Sequence, residues 1–237
     1  MKLRRSFLAV TIVLALGAGA AADDSLLTKS IKGWGKIIDP KGDCQVEEKD
    51  GTVTMTVAGR HDLSIELNRP MDAPRVMREI EGDFIAMVKV QGAFAPTAPS
   101  TIEGRRPYVG AGLLLWQDEK NYVRLEHASV DVDGQTFQYL GFDQRRNGEP
   151  AVGYSQMGLK SDPLRLRLER RNGKLYGAAS YDSLQWVSYL PLQVDMPAKL
   201  QVGVAAISSS ATPFIPDFSE LEIYKRVTPT PEQPAAK

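Results

Sequence analysis

The run Leu164-Arg165-Leu166-Arg167-Leu168-Glu169-Arg170-Arg171-Asn172-Gly173 decides the fold. Leu164, Leu166 and Leu168 recur at every second position with Arg165, Arg167 and Glu169 between them, so an extended chain puts the leucines on one face and the charges on the other. Pro163 opens this strand. Asn172-Gly173 then supplies the type I′ turn that hairpins prefer, which returns the chain from Lys174 to about Ser180. Tyr181-Asp182-Ser183 turns it again toward Gln185-Trp186-Val187.

The same period of two runs outward in both directions. Toward the N-terminus, a short run through Val46 meets the turn Asp50-Gly51, after which Val53, Met55 and Val57 share a face, and Leu63, Ile65 and Leu67 repeat the pattern. From Asp83 to Val90 the chain places Phe84, Ala86, Val88 and Val90 on one side. A Pro/Ser/Thr/Gly-rich loop follows from Ala93 to about Arg106. Gly110 to Gln117 is almost continuously apolar, as a strand buried on both faces must be, and Asp118-Glu119-Lys120-Asn121 turns it into Tyr122 to Val130. This hairpin belongs near the centre of a sheet. Gln135 to Phe142 is a further strand, whereas Arg145 to Tyr154 is polar, contains glycine and reads as a loop. Leu200, Val202 and Val204 mark one more strand, and Leu221 with Ile223 the last. Many short strands without crossover helices predict an all-β fold, a two-sheet antiparallel β-sandwich or jelly roll, with a closed barrel as the alternative.

Export frames this domain. Lys2, Arg4 and Arg5 precede an apolar run from Phe7 to Leu16 and a small-residue stretch from Gly17 to Ala22, the order of a secretory signal peptide. Residues 1–22 are therefore expected to be removed, giving a secreted or periplasmic protein with no transmembrane anchor in the mature chain. Residues 23–31 form an N-terminal segment, 32–225 the sandwich, and 226–237 a Pro-rich, disordered tail. The precursor carries 29 basic and 29 acidic residues, so losing three basic ones leaves 26 against 29 and a net charge of −3. A mildly acidic chain with interspersed charges is a poor partner for nucleic acid or an anionic membrane. Cys44 is the only cysteine, so no intrachain disulfide supports the core, and with only Lys41 close by as a base it reads as a small buried hydrophobe.

Four segments resemble the concanavalin A-like lectin/glucanase superfamily, in its uncharacterised bacterial branch related to the regulation-of-enolase type domain. They are Gly82-Asp-Phe-Ile-Ala-Met-Val-Lys-Val90, Gly110-Ala-Gly-Leu-Leu-Leu-Trp-Gln-Asp118 with Asn121-Tyr-Val-Arg-Leu-Glu126, Leu164 to Gly173, and Val202-Gly-Val-Ala-Ala206. Asp39-Pro-Lys-Gly-Asp-Cys44, His61-Asp-Leu63 and Ala73-Pro-Arg-Val76 extend the resemblance to roughly residues 32–225. The resemblance implies a curved jelly roll whose concave face, in better-known members, holds sugars. It implies no activity, because fold does not fix function.

Glycosidases of that superfamily set carboxylates on alternate positions of one strand, in the pattern Glu-x-Asp-x-(x)-Glu. Glu79-Ile-Glu81-Gly-Asp83 and Glu220-Leu-Glu222 do not follow it. A serine hydrolase lacks its Gly-x-Ser-x-Gly elbow, and His61 and His127 are the only imidazoles. Binding has more material. Tyr122, Arg124 and Glu126 share one face of their strand, Arg165 and Arg167 one face of theirs, and Trp116 and Tyr139 add aromatic platforms of the kind that hold sugars beside planar polar groups. Against this stand two plainer readings, Trp116 as core and the Arg/Glu alternation as ion pairing on a wet sheet.

The leading expectation is an exported, non-catalytic binding domain for carbohydrate or another glycan-rich polymer. Its rivals are a glycan-acting hydrolase using Glu126 and Glu169, if these converge, and an envelope module that is structural or binds protein. No cofactor is called for. Ca2+ is the one cation considered, at Asp39-Pro-Lys-Gly-Asp43 or Asp131-Val-Asp133-Gly134, where ordinary turns are the alternative. His61-Asp62 reads as a strand cap or as part of a polar cluster with Arg75, with no spacing that demands a metal.

Overall fold

Period-two alternation becomes strand after strand in the computed structural model, which describes residues 30–64, 71–157, 159 and 163–225. The expected signal peptide, most of the expected N-terminal segment, the expected tail, and Ile65 with Leu67 lie outside the described residues. In chain order the strands are β1 (Ser30–Ile31), β2 (Gly35–Ile38), β3 (Gln45–Lys49), β4 (Thr52–Thr56), β5 (Arg75–Glu81) and β6 (Phe84–Gln91). They continue with β7 (Tyr108–Asp118), β8 (Asn121–Val132), β9 (Gln135–Arg146), β10 (Glu149–Met157) and β11 (Leu164–Arg171). The series closes with β12 (Lys174–Ser180), β13 (Val187–Ser188), β14 (Leu192–Gln193), β15 (Lys199–Ser208) and β16 (Asp217–Lys225).

Two open antiparallel sheets result, so the fold is a β-sandwich and not a closed barrel. The first runs β1-β2-β5-β15-β7-β8-β9-β10; the second runs β13-β12-β11-β6-β16-β4-β3, with β14 also against β12. Alternate residues meet between them. Leu113 and Leu115 of β7, Val123 and Leu125 of β8, and Val202 and Val204 of β15 face Ala86 and Val88 of β6 and Leu166 and Leu168 of β11. Each fully buried side chain of this size contributes about 1.5–3 kcal/mol, and this burial holds the fold without a disulfide, Cys44 being a free thiol. No helix among the described residues is long and apolar enough to cross a membrane.

Two local readings change. The stretch from Arg145 to Tyr154 is not a loop: β9 runs through to Arg146, Asn147 and Gly148 turn with φ of 55° and 86°, and β10 returns along the sheet edge. Edge position explains its polar sequence, because β10 has one neighbour and Pro150 need not donate to another strand. Leu63 is fully buried but lies in no strand; an isolated bridge between His61 and Ser208 pairs this segment with β15.

The hairpin β7-β8 is interior to the first sheet, and β7 is buried from Tyr108 to Trp116 on both faces, as its apolar run predicts. The inner face meets the second sheet. The outer face is roofed by two long connections, one around Asp62, Leu63 and Ala73, the other carrying Arg105. Leu63 and Ala73 pack there with Met77, Leu114, Trp116 and Tyr122 in a second, smaller core, and Arg105 joins the two connections by an ion pair with Asp62.

Candidate functional site

Parity on β8 sends Val123 and Leu125 inward, and therefore Tyr122, Arg124 and Glu126 outward. Across the ladder, Tyr122 faces Trp116 and Arg145, Arg124 faces Leu114 and Asp143, and Glu126 faces Gly112 and Gly141. Two glycines beside Glu126 leave the sheet without side chains on either flank. Tyr139, one rung further along, and Tyr108, two rungs along, close this recess with their rings, 6.5 Å apart between centroids. Gly112 is required for a second reason: a Cβ there would lie 2.1 Å from the Leu125 carbonyl oxygen, which is backbone and cannot yield.

Tyr108 donates its hydroxyl hydrogen to Glu126 Oε1 at 2.6 Å. Arg124 Nη2 lies 3.7 Å from Glu126 Oε1 and 3.2 Å from Asp143 Oδ2, and Arg145 Nη1 also reaches Asp143 Oδ2 at 3.2 Å. The ring of Trp116 stacks on Tyr122 at 5.4 Å, with the Arg75 guanidinium 4.6 Å above the indole. Arg105 lies 4.5 Å over the Tyr108 ring, and Tyr122 donates to the Leu63 carbonyl at 2.5 Å. Aromatic planes and charged groups thus alternate around one spot.

Burial governs the charges here. It raises the Glu126 carboxyl above the usual carboxylate range, with Arg124 opposing and Asp143 reinforcing the shift. Burial would depress Arg124, but Asp143 and Glu126 outweigh it and hold the guanidinium well above its ordinary value. Tyr108 is likewise pushed well up, first by burial and then by Glu126. Arg124 is 8% exposed, yet its Nε and Nη1 are buried without a hydrogen-bond partner. Donors left unspent in such a setting cost about 1–3 kcal/mol each unless something else accepts from them.

The structure therefore brings Trp116, Tyr122, Arg124, Glu126 and Tyr139 together on the outer face of the first sheet. It does not bring Arg165 and Arg167 to them. β11 belongs to the second sheet, and because Leu164, Leu166 and Leu168 point into the core, its arginines point out on the far side of the sandwich. There Arg165 pairs with Glu220, and Arg167 donates to Glu169 Oε2 at 2.7 Å. Glu126 and Glu169 face opposite solvents for the same reason, so they do not converge. Trp116 is core after all, in the small outer cluster and not between the sheets.

Tyr108, Asp143, Arg105 and the two flanking glycines escaped the sequence reading. A signal for Asp143 existed: Tyr139, Gly141, Asp143 and Arg145 continue the alternation of β9 past Phe142. For Arg105 there was none, since a loop residue's partner is set by tertiary structure. Asp62, expected near Arg75, pairs instead with Arg105.

The two calcium candidates resolve differently. Asp131 accepts from the Gly134 amide at 3.1 Å, and Asp133 and Gly134 take φ of 54° and 82°, a hairpin turn. Asp39 Oδ2 accepts from the Cys44 amide at 2.9 Å, while Asp43 Oδ1 lies 3.2 Å from His61 Nε2. Burial, then Asp39 and Asp43, push the Cys44 thiol up to about 12.

No family model matches the chain, and no curated protein matches it in sequence. Solved structures share its fold. A functionally unknown protein from Saccharomyces cerevisiae is 18% identical with a TM-score of 0.62, over 78% of this chain and 93% of that one. The GH43 protein BlXynB from Bacillus licheniformis is 15% identical with a TM-score of 0.58, over 79% of this chain and 35% of that one. A xylan β-1,4-xylosidase from Bacillus halodurans is 13% identical with a TM-score of 0.55, over 77% and 34%. This chain thus spans about a third of the length of the two bacterial proteins. What this chain shares with them is the fold.

Proposed function

We propose that the chain is an exported, non-catalytic binding domain that holds a carbohydrate or another glycan-rich polymer on the outer face of its first sheet. The observation that carries this reading is Arg124, buried with two N–H groups unspent, beside the Glu126 and Asp143 carboxylates and the Tyr108 and Tyr139 rings. Vicinal hydroxyls of a sugar accept from a guanidinium and donate to carboxylates, while its apolar C–H face lies on an aromatic ring. Arg165 and Arg167 drop out of the site. The hydrolase that needed Glu126 and Glu169 loses its geometry, because those carboxylates sit on opposite faces. The order of the four resembling segments supports the branch related to regulation-of-enolase type domains, and the N-terminal charge and apolar pattern supports export.

A glycan array probed with the mature chain, with and without Ca2+, tests this reading beside Tyr139→Phe and Arg124→Gln. Selective binding that falls at least tenfold in both variants is the expected result; binding indifferent to both, or none to any glycan, overturns it. N-terminal sequencing of the exported protein is expected to start near Ala21 or Asp23.

A further inference from the structure

We infer that Asp43, Cys44 and His61 form a binding site for a borderline-soft divalent cation of the Zn2+ class. One donor atom from each of the three lies within 4.8 Å of the others, and His61 Nε2 stands 3.2 Å from Asp43 Oδ1. Neighbouring nitrogen and oxygen ligands of a tetrahedral zinc, with bonds of about 2.0–2.1 Å, are about 3.3 Å apart. The pair already has that spacing.

His61 is oriented for this role. Its Nδ1 lies 3.2 Å from the Asp72 carbonyl oxygen, which can only accept, so Nδ1 carries a hydrogen and, in the neutral ring, the Nε2 lone pair faces Asp43. Two acceptors pointed at each other repel unless a proton or a cation stands between them. A backbone carbonyl behind the imidazole is also the outer-shell partner that metal-bound histidines use. The frame is fixed: the ring is 1% exposed, the His61 backbone exchanges two 3.0 Å bonds with Ser208, and Asp39 holds the Cys44 amide. Asp39 Oδ1 is itself buried with no hydrogen-bond partner, a second unspent acceptor beside the cluster.

The donor set chooses the metal. Sulfur, imidazole nitrogen and one carboxylate suit zinc and its transition-metal neighbours and do not suit calcium, which takes six or more oxygens. This replaces the calcium expectation for the 39–43 loop. Three protein ligands leave one tetrahedral position for water or an incoming group. The inference is independent of the glycan reading, since none of the three residues lines the recess around Glu126.

The test uses the full chain, reduced and stripped with chelator, then titrated with Co2+ alone and afterwards with Zn2+. One Co2+ per chain is expected, with a thiolate-to-metal absorption band and the strong visible bands of tetrahedral cobalt, all abolished by Zn2+. Cys44→Ser should remove the thiolate band, and Asp43→Asn should keep it. Each should weaken Zn2+ binding by at least the ~10–100-fold that loss of an outer-shell partner costs. Cys44 is half-buried and the Asp43 side chain is 53% exposed, so neither variant is needed for folding, unlike a change at His61. No tetrahedral spectrum, or one that survives Cys44→Ser, overturns the assignment.

Discussion

Arg-Leu-Glu occurs twice, at 124–126 on β8 and at 167–169 on β11, and the two copies differ in their surroundings. In both, leucine enters the core and the charged pair faces out. On β11 the neighbours are Ala178 and Met87 beside Arg167, Tyr176 and Ile85 beside Glu169, and the Arg167 side chain remains 35% exposed. On β8 the glutamate stands between two glycines, Tyr108 and Asp143 supply partners, and the connections carrying Leu63 and Arg105 exclude water. The first arrangement is a partly exposed ion pair, in which Arg167 reaches solvent and the buried Glu169 also has Arg171 3.7 Å away. The second is a desolvated network in which every charge needs its partner. A tripeptide therefore carries no function by itself; cross-strand neighbours and a roof turn one copy into a candidate site.

The largest expected effect breaks this contrast at its floor. Gly112→Ala drives a Cβ against the Leu125 carbonyl, and failure to recover folded protein is expected; a variant with normal urea unfolding would show that the ladder yields. Next, Arg124→Met should cost about 3–5 kcal/mol by breaking the buried ion pairs with Glu126 and Asp143, whereas Arg167→Met should cost less, because Arg167 is one-third exposed and Arg171 stays beside Glu169. Equal losses in urea denaturation would erase the distinction between the faces.

A smaller effect sharpens the contrast on the inward side of β8. His127 stacks on Phe94 at 3.7 Å, and burial lowers its pKa from 6.5 to about 4. Protonation then favours the unfolded chain, so this residue's contribution is complete above pH 6.5 and is lost as pH falls through 6.5 toward 4. The loss amounts to about 3 kcal/mol at most. Urea midpoints measured between these limits should slope less in His127→Phe than in the unsubstituted chain; an unchanged slope would assign the acid sensitivity elsewhere.

Which elements were legible follows from what their side chains face. The β11-β12 hairpin announced itself because leucines alternate into the core and Asn172-Gly173 marks the turn. Asn147-Gly148 is the same dipeptide, yet the β9-β10 hairpin was missed, since Arg145, Arg146, Glu149 and Pro150 around it belong to a sheet edge with little apolar surface to bury. β5 is interior, between β2 and β15, but Arg75, Arg78, Glu79 and Glu81 break its apolar alternation. Parity along β8, the apolar run of β7 and the alternation of β9 put Trp116, Tyr122, Arg124, Glu126 and Tyr139 on one face. Nothing local says which sheet a strand joins, and so Arg165 and Arg167 were grouped with them. Asp43, Cys44 and His61 flank the open end of the β3-β4 hairpin, where Gln45 pairs with Thr56, but the bridge from His61 to Ser208 that fixes the imidazole is a pairing of distant sequence that no period records.

Trp116 gives the outer face an optical consequence. Of the three tryptophans, Trp34 belongs to the core between the sheets and Trp186 lies in the connection from β12 to β13, whereas Trp116 is held between Tyr122 and the Arg75 guanidinium. An indole pinned under a cation, on the face that carries Arg124, reports on that face through its emission. A ligand held beside Arg124, as proposed, is expected to change that fluorescence in the native chain, without a dye and without labelling the ligand.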